Sequence, residues 1–380
     1  MNQQIYLDNA ATTRMAEEVR AEMEPYLCEH YGNASTSYSI GVEAKKAIEK
    51  AREIIAETLR AKPEEIFFTS GGSEADNWAI KGVAGDNKQK GRHIITSTIE
   101  HHAVLNSCEY LEKLGYKVTY LKPDHYGVVM PETVRGAIRP DTTLITIMAG
   151  NNEVGTMEPI MQIGKIAKEH QIIFHTDAVQ AYAQVPLSMA QMPVDLLSAS
   201  SHKFHGPKGV GFLYVRSGVN VSSFIHGGGQ ERGKRAGTEN VAGIVGMGKA
   251  AELAHKDMRR RMQKEILLRN YMIERVLHEI PNARLNGHPS MRLPGNISFS
   301  FKGIEGGSLL MLLEEDGICA SGGSACNTGG SRVSYVIAEL GVPQDYAPGT
   351  VRLTLCGNTT KAEIDAAIIS LKRNVAKLTL

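Results

Sequence analysis

The stretch that decides the fold of this chain is Asp195–Gly209, which reads DLLSASSHKFHGPKG. A short apolar run ends abruptly at small hydroxyl residues, and a His-Lys pair, a glycine and a proline follow. This pattern is typical of a buried strand that runs into a polar loop. Lys203 of the His-Lys pair therefore lies at the end of a buried strand, where a free ammonium group is costly to bury.

Two interpretations of Lys203 remain open from this stretch alone. The lysine could extend its charged end into water from the strand–loop boundary, and taken alone the segment favours this structural role. Alternatively, its amine could be covalently occupied as a Schiff base with an aldehyde cofactor. In that case the neighbouring hydroxyls and histidine could hold a phosphate.

Composition narrows the class of protein. The chain has 380 residues, of which 42% are hydrophobic and 22% are charged, as in soluble globular proteins of about two domains. The net charge of +1 provides no field that would recruit nucleic acid or an anionic membrane. The five cysteines form no CxxC pair and no zinc-finger spacing, so no metal site and no disulfide framework are predicted. Without a signal peptide or a membrane-length apolar run in the sequence, we expect a cytoplasmic protein.

Predicted strands and helices alternate through the first two-thirds of the chain. The strands are mostly continuously apolar, as expected of a mainly parallel sheet that helices cover on both faces. They are predicted at 66–68, 93–97, 117–121, 143–148, 172–176, 196–200 and 209–215. Helical spacing of apolar residues is found at 43–60, and a further helix is predicted at 160–170. The sequence therefore predicts an α/β fold.

A second, smaller unit is predicted at the C-terminal end. Residues 250–280 form a long, charged, helix-prone stretch of the kind that links two domains. Beyond it, strands are predicted at 296–301 and 350–355, and helices at 306–316, 334–340 and 361–378. We predict a large domain at 15–258, and a small α+β domain formed by 1–14 together with 259–380.

The predicted strand that ends at Phe68 is followed by a Gly/Ser turn, TSGGS at 69–73, and then by a helix. Free backbone N–H groups at a helix N-terminus can bind an anion, although Ser70 or Ser73 could simply cap that helix.

His101 follows the next strand. A neutral imidazole there could stack on an aromatic cofactor and handle protons, or it could be a hydrogen-bonded structural residue.

Asn152 follows a further strand, and Asp177 ends the strand that begins at Ile172. An aspartate at a buried strand end needs a cationic or hydrogen-bonding partner, and a protonated pyridine nitrogen is one such partner. Gln180 and Asn152 could bond the phenolate oxygen of the same ring. The alternative for Asp177 is a helix N-cap.

These five strand ends are expected to meet. In an open α/β sheet, ligands bind at the carboxyl ends of the strands. An anion loop, a histidine, an asparagine, an aspartate with a glutamine, and a lysine would then line one crevice. This is the set of groups that pyridoxal phosphate requires.

Two further residues carry candidate chemistry. Cys326 lies in a run of Gly, Ser and Ala at 318–331, where we expect an exposed cysteine whose thiolate can attack sulfur. The alternative is a tolerated loop cysteine. Arg352 lies in a strand-like run, and its guanidinium could hold a substrate carboxylate through two hydrogen bonds or form a salt bridge within the protein.

The chain as a whole resembles the class V aminotransferase-like, fold-type I PLP enzymes, and within them the cysteine desulfurases of the NifS/IscS type. The matching motifs run nearly end to end: YLDNAATT (6–13), YGNAS (31–35), TSGGSEADN (69–77), EHHAVL (100–105), NNEVG (151–155), HTDAVQ (175–180), SSHKFHGPKGVG (200–211), GGGQERGKRAGTEN (227–240), SGGSACN (321–327) and VRLTL (351–355).

The resemblance implies a role for each matching residue around pyridoxal 5'-phosphate. Lys203 would carry the Schiff base, Asp177 would pair with the pyridine nitrogen, and His101 would stack on the ring. Asn152 and Gln180 would contact the ring oxygen. The phosphate would be held by Gly72, Ser73, Ser200 and His202. Thr238 would reach the phosphate of a neighbouring subunit, which implies a homodimer.

The resemblance also implies the reaction. Arg352, together with Asn33, would bind the carboxylate of L-cysteine. Cys326 would attack the substrate sulfur, which leaves a persulfide on the enzyme and releases alanine. The sulfur would pass to an iron–sulfur scaffold or a sulfur-carrier protein. Tyr38, the run Arg332–Ser334 and Cys356 depart from the usual family pattern, which leaves partner choice open. Alternatives are a selenocysteine lyase or aminotransferase of the same fold, and a non-catalytic PLP-binding scaffold subunit.

Overall fold

The computed structural model describes residues 4–322 and 333–379. Its strands are β1 (Ile5–Tyr6), β2 (Ile66–Thr69), β3 (His93–Ser97), β4 (Lys117–Leu121), β5 (Thr142–Thr146), β6 (Ile173–Asp177), β7 (Leu196–Ser200), β8 (Gly211–Val215), β9 (Ala283–Leu285), β10 (Asn296–Phe301), β11 (Ile318–Cys319) and β12 (Thr350–Thr354). Its α-helices are α1 (Glu17–Met23), α2 (Pro25–Cys28), α3 (Ser39–Leu59), α4 (Gly72–Asn87), α5 (His102–Lys113), α6 (Pro131–Gly136), α7 (Ile160–Glu169), α8 (Val241–Lys256), α9 (Met258–Glu279), α10 (Gly306–Glu315), α11 (Tyr335–Glu339) and α12 (Lys361–Thr379).

The centre of the fold is a seven-stranded sheet in the order β2-β8-β7-β6-β5-β3-β4. The strands from β4 to β7 pair in parallel, and only β8 runs against its neighbours β7 and β2. Successive residues of one strand enter different hydrophobic clusters: Ile94 and Leu196 lie in one, Ile95 and Leu197 in the other. Since alternate side chains point to opposite faces, the sheet is covered on both faces, and the predicted α/β fold class is confirmed.

This topology brings the functional strand ends together. The strands β2, β3, β5, β6 and β7 all run in the same direction, because β2 and β7 are both antiparallel to β8. Their carboxyl ends therefore meet at one edge of the sheet, and the loops that follow them share that edge.

The C-terminal part has its own sheet, β12-β10-β9, with antiparallel pairing, and a separate hydrophobic cluster formed mostly by residues 272–375. The start of the chain joins this part: β1 pairs with β11, and Leu7 is fully buried in the same cluster. These contacts support our proposed division of the chain into 15–258 and 1–14 with 259–380.

The helix-prone stretch 250–280 belongs to two helices, α8 and α9, which break at Asp257 (φ −108°, ψ 9°). The two helices serve different cores: Ala251 packs in the cluster of the large sheet, and Met272 in that of the small one. In the described part of the chain, no helix combines the length and apolarity needed to cross a bilayer.

Candidate active site

A cavity of about 340 Å³ lies at the carboxyl edge of the large sheet. The residues predicted from the sequence that line it are Gly72, Ser73, His101, Asn152, Asp177, Gln180, Ser200, His202, Lys203 and Arg352. Strand ends of the large sheet supply most of them, and Arg352 reaches the cavity from β12 of the small sheet. The cavity therefore lies between the seven-stranded sheet and the three-stranded sheet.

Three predicted site residues are not placed in this cavity. Asn33 and Thr238 are exposed and do not line it. The Asn33 side chain instead accepts a hydrogen bond from the Ser35 N–H at 2.9 Å and closes a local turn. Cys326 lies outside the described residues.

Lys203 is held in place by the N-terminal segment of the chain. It ends a short 3-10 turn, Ser201–Lys203, that directly follows β7. Its Nζ donates to the backbone oxygens of Ala10 at 2.6 Å and Ala11 at 2.8 Å. The carbonyl oxygen of His202 accepts from the backbone N–H of Thr13 at 2.9 Å. The amine is thus anchored at the cavity wall.

Asp177 is 6% exposed, and its Oδ1 accepts from the Val179 N–H at 2.8 Å. Burial raises the pKa of Asp177, although the neighbouring His101 and Lys203 act in the opposite direction. A buried carboxyl of this kind is ionised most easily when a cation lies against it. A protonated ring nitrogen in the cavity would be such a cation.

His101 lies at the N-terminus of α5, where its Nδ1 accepts from the Ala103 N–H at 3.1 Å. Because Nδ1 is the acceptor, the neutral ring carries its proton on Nε2. Burial lowers the pKa of His101, which favours this neutral form. His101 therefore presents an uncharged ring and an Nε2–H donor.

The turn at Gly71–Ser73 lies at the start of α4, where free backbone N–H groups can bind an anion. Gly71 has φ +152°, and a Cβ on Gly72 would lie 2.6 Å from a methyl carbon of Val179. Glycine at 72 therefore lets the helix N-terminus approach β6 closely. Burial and the adjacent Lys203 and Lys208 lower the pKa of His202 to about 4, so its ring is neutral near pH 7.

Arg352 is 2% exposed and contacts two elements of the site. Its Nη2 lies 2.8 Å from Oδ1 of Asp8, and its Nη1 donates to the backbone oxygen of Asn152 at 2.9 Å. Arg352 thus forms a salt bridge within the chain and also lines the cavity, and its contact with a substrate carboxylate stays a prediction.

The donor set fits pyridoxal phosphate. The cavity combines an amine, a buried carboxyl, an imidazole and a helix N-terminus that glycine leaves open. In addition, the buried Oδ1 atoms of Asn152 and Asp76 have no hydrogen-bond partner among the described residues. Such atoms are costly unless a ligand or water meets them.

Sequence reasoning missed several lining residues: Ala10, Ala11, Asp76, His102, Met148, Gly150, Glu153, Val179 and Tyr335. His102 packs on Tyr335 with ring centroids 4.9 Å apart, and Glu153 accepts from the Ser334 hydroxyl. Most of these residues lie within the quoted motifs, but nothing in the local pattern distinguishes them from their neighbours. Asp76 offered the clearest signal, since it is an acidic residue within the motif of the anion loop.

Comparisons with known proteins agree with this geometry. A profile of the family described as aminotransferase class-V matches residues 5–367. The cysteine desulfurase IscS of Methanosarcina thermophila is 51% identical over 377 residues, which cover 99% of this chain and 93% of that protein.

Two solved structures are similar throughout. A NifS-like protein has a TM-score of 0.93 and 39% identity and covers 99% of this chain and 100% of its own. SspA in complex with cysteine has a TM-score of 0.82 and 38% identity, and the match covers 94% of this chain and 100% of that chain. The resemblance seen in the sequence is thereby confirmed, and the chain belongs to the aminotransferase class-V family.

Proposed function

We propose that the chain is a pyridoxal 5'-phosphate-dependent L-cysteine desulfurase, which converts L-cysteine to L-alanine and leaves the sulfur as a persulfide on Cys326. The observation that carries the proposal is the single cavity that joins the Lys203 amine, the buried Asp177 carboxyl and the N-terminus of α4. The desulfurase relatives and the related structure that binds cysteine support this choice of substrate.

The cofactor would be held from three sides. Asp177 would meet the ring nitrogen, His101 the ring face, and Asn152 with Gln180 the ring oxygen. The phosphate would lie at the N-terminus of α4, on Gly72, Ser73, Ser200 and His202. When bound, the cofactor supplies an electron-withdrawing ring that stabilises negative charge on the substrate carbon.

Different side chains would act on different parts of the substrate. Arg352 would bind the carboxylate of L-cysteine with its fork of N–H donors, and the proposal gives Asn33 a supporting part. Lys203 Nζ would accept and return the proton on the substrate carbon. His101 would hold a proton at Nε2, the atom that its bond to Ala103 leaves as donor.

The sulfur transfer balances without an added oxidant. The Cys326 thiolate attacks the substrate sulfur, and a new S–S bond forms while the C–S bond breaks. The electron pair of the broken bond stays on the alanine fragment, which takes up the proton that the substrate thiol gives up. Cys326 is left as a persulfide, from which an iron–sulfur scaffold or sulfur-carrier protein would take the outer sulfur.

A homodimer would complete the site. Thr238 is exposed and outside the cavity of its own chain, as expected of a residue that serves the phosphate of the partner subunit. We further propose that the protein acts in the cytoplasm, where reduced thiols persist.

The test follows alanine, sulfide and protein-bound sulfur after L-cysteine is added. Cys326→Ser should release sulfide at least about a hundredfold more slowly, because the nucleophile is absent. Its intact mass should not increase by a sulfur atom. Lys203→Ala should lose covalent cofactor attachment as well as turnover. Cys28→Ser, which changes an exposed free cysteine, should behave as the unaltered chain.

Several outcomes would contradict the proposal. Unchanged sulfide release by Cys326→Ser would assign the nucleophile elsewhere. Amino transfer to a keto acid without sulfide would favour an aminotransferase, and a strong preference for selenocysteine would favour a lyase. A bound chromophore without any turnover would favour a scaffold subunit.

A further inference from the structure

A second buried carboxyl, Asp76, lies beneath the cavity beside Asp177. Asp76 belongs to the first turns of α4, is 1% exposed and lines the cavity. One carboxyl oxygen each of Asp76 and Asp177 and a ring nitrogen of His101 lie within 4.8 Å of one another. Asp76 has no part in the proposed reaction so far.

Hydrogen bonds to two hydroxyls hold the ring of His175 beside Asp76. His175 Nδ1 lies 2.8 Å from the Thr146 hydroxyl, and His175 Nε2 lies 3.0 Å from the Ser198 hydroxyl. The Ser198 hydroxyl also acts on the Asp76 carboxyl, whose pKa it lowers. Burial lowers the pKa of His175 to about 3, so this ring is neutral.

Among the described residues, the Asp76 carboxyl forms no ion pair with a lysine or arginine. The other titratable groups that face this region are Asp177, Glu100, His101 and His175, and Lys203 lies beyond Asp177. Glu100 is fully buried, and burial raises its pKa to about 8, so it too is neutral at pH 7. Burial first, and the charge of Asp177 second, raise the pKa of Asp76 well above its usual range.

The remaining oxygen of Asp76 is available for a proton. Its Oδ1 is buried, has no hydrogen-bond partner among the described residues, and lies 3.7 Å from His175 Nε2. A separation of 3.7 Å exceeds hydrogen-bond distance, so His175 does not satisfy Oδ1. Two ionised carboxylates this close in a buried site would repel each other, whereas one acid and one carboxylate attract.

We propose that Asp76 is a positioning residue that stays protonated and donates its proton, as a hydrogen bond, to the Asp177 carboxylate. This bond holds Asp177 in the orientation that meets the cofactor ring nitrogen and keeps the negative charge on Asp177. The inference rests on the proposed function, because the bond serves that cofactor contact. Asp76 itself is not assigned any contact with substrate.

The experiment compares Asp76→Asn, Asp76→Ala and Asp177→Asn, with Asp86→Asn as control on the exposed end of the same helix. An asparagine at 76 is neutral and still donates, so its cofactor dissociation constant should stay within about threefold of the unaltered chain. Asp76→Ala loses the donor and should bind pyridoxal phosphate about tenfold more weakly, which corresponds to one lost hydrogen bond. Asp177→Asn should bind more weakly still.

A second measurement, the pH dependence of folding stability, tests whether Asp76 is protonated and requires neither turnover nor cofactor. A carboxyl that stays protonated in the folded chain but ionises near its ordinary pKa of about 4 when unfolded makes stability fall as pH rises above that value. The full-length chain freed of cofactor should show this decline between pH 5 and the folded pKa. Asp76→Asn should reduce the slope of this decline, to which Glu100 also contributes, and Asp86→Asn should leave the slope unchanged.

Either readout can overturn the inference. If Asp76→Asn weakens cofactor binding as much as Asp177→Asn, Asp76 is the ionised partner. If Asp76→Ala binds the cofactor as the unaltered chain does, Asp76 positions nothing. If Asp76→Ala fails to fold, the asparagine variant and the pH dependence of stability still decide. A chain that binds no pyridoxal phosphate at all refutes the proposed function, while the stability measurement still tests the proton on Asp76.

Discussion

Replacing Arg352 by lysine should raise the KM for L-cysteine about 10- to 100-fold. Arg352 on β12 holds Oδ1 of Asp8 with Nη2 at 2.8 Å and the backbone oxygen of Asn152 with Nη1 at 2.9 Å, so one planar fork contacts two separate segments of the chain. A lysine ammonium is a single point and cannot meet both partners and a substrate carboxylate in that geometry. The loss of one charge-assisted bond costs about 1.5–3 kcal/mol, which is about 10- to 150-fold in an equilibrium constant.

The assay is steady-state production of alanine over a range of L-cysteine concentrations. We expect the change to fall mainly on KM, since the contact to the carboxylate exists before and during the reaction. Arg373→Lys, on the exposed face of α12, is the matched control and should leave KM unchanged. A KM for Arg352→Lys within about twofold of the unaltered chain would refute the assignment of Arg352 to the substrate carboxylate.

Two further predictions concern packing and pH. Gly72→Ala places a Cβ 2.6 Å from a valine methyl, so it should lower stability by about 1–3 kcal/mol in urea unfolding and weaken phosphate binding. Gly136→Ala, which meets nothing within 4 Å, should do neither. Burial lowers the pKa of His175 to about 3, so the unfolded chain binds the extra proton below about pH 6.5, and stability should fall by up to about 1.4 kcal/mol per pH unit toward pH 3. His175→Gln should remove that part of the slope, and an unchanged slope would mean that His175 is not neutral in the folded chain.

The sheet could be predicted in detail because its signals are local. The strands at 93–97, 117–121 and 196–200 have the predicted bounds, since continuous apolar runs between polar turns identify buried strands. The predicted strand at 209–215 begins instead at Gly211, because Gly209 takes φ +77° and cannot continue an extended strand. The break at Asp257 was missed because helical propensity alone does not reveal that two cores divide one stretch.

The candidate site was likewise predictable only in part. Asp177 ends its strand, and His101 and Lys203 follow theirs within a few residues, so the sequence places all three at one edge once the strands are known to be parallel. Asp76 was not predicted as a site residue, because its partners Ser198 and His175 lie on other strands about a hundred residues away. The Asp8 contact to Arg352 joins residues 344 positions apart, and no spacing rule connects them.

By itself, the sequence determined the alternation of buried strands and helices, the parallel class of the sheet and the polar residues that end its strands. These features depend on the polarity and backbone preferences of neighbouring residues, which are readable one segment at a time. Only the tertiary structure decided which of those side chains face one another: that Ala10 and Ala11 hold the lysine amine, that Asp8 shares the fork of Arg352, and that Asp76 lies against Asp177. Those contacts arise when separate segments pack on two cores, and packing depends on the shape of the whole chain.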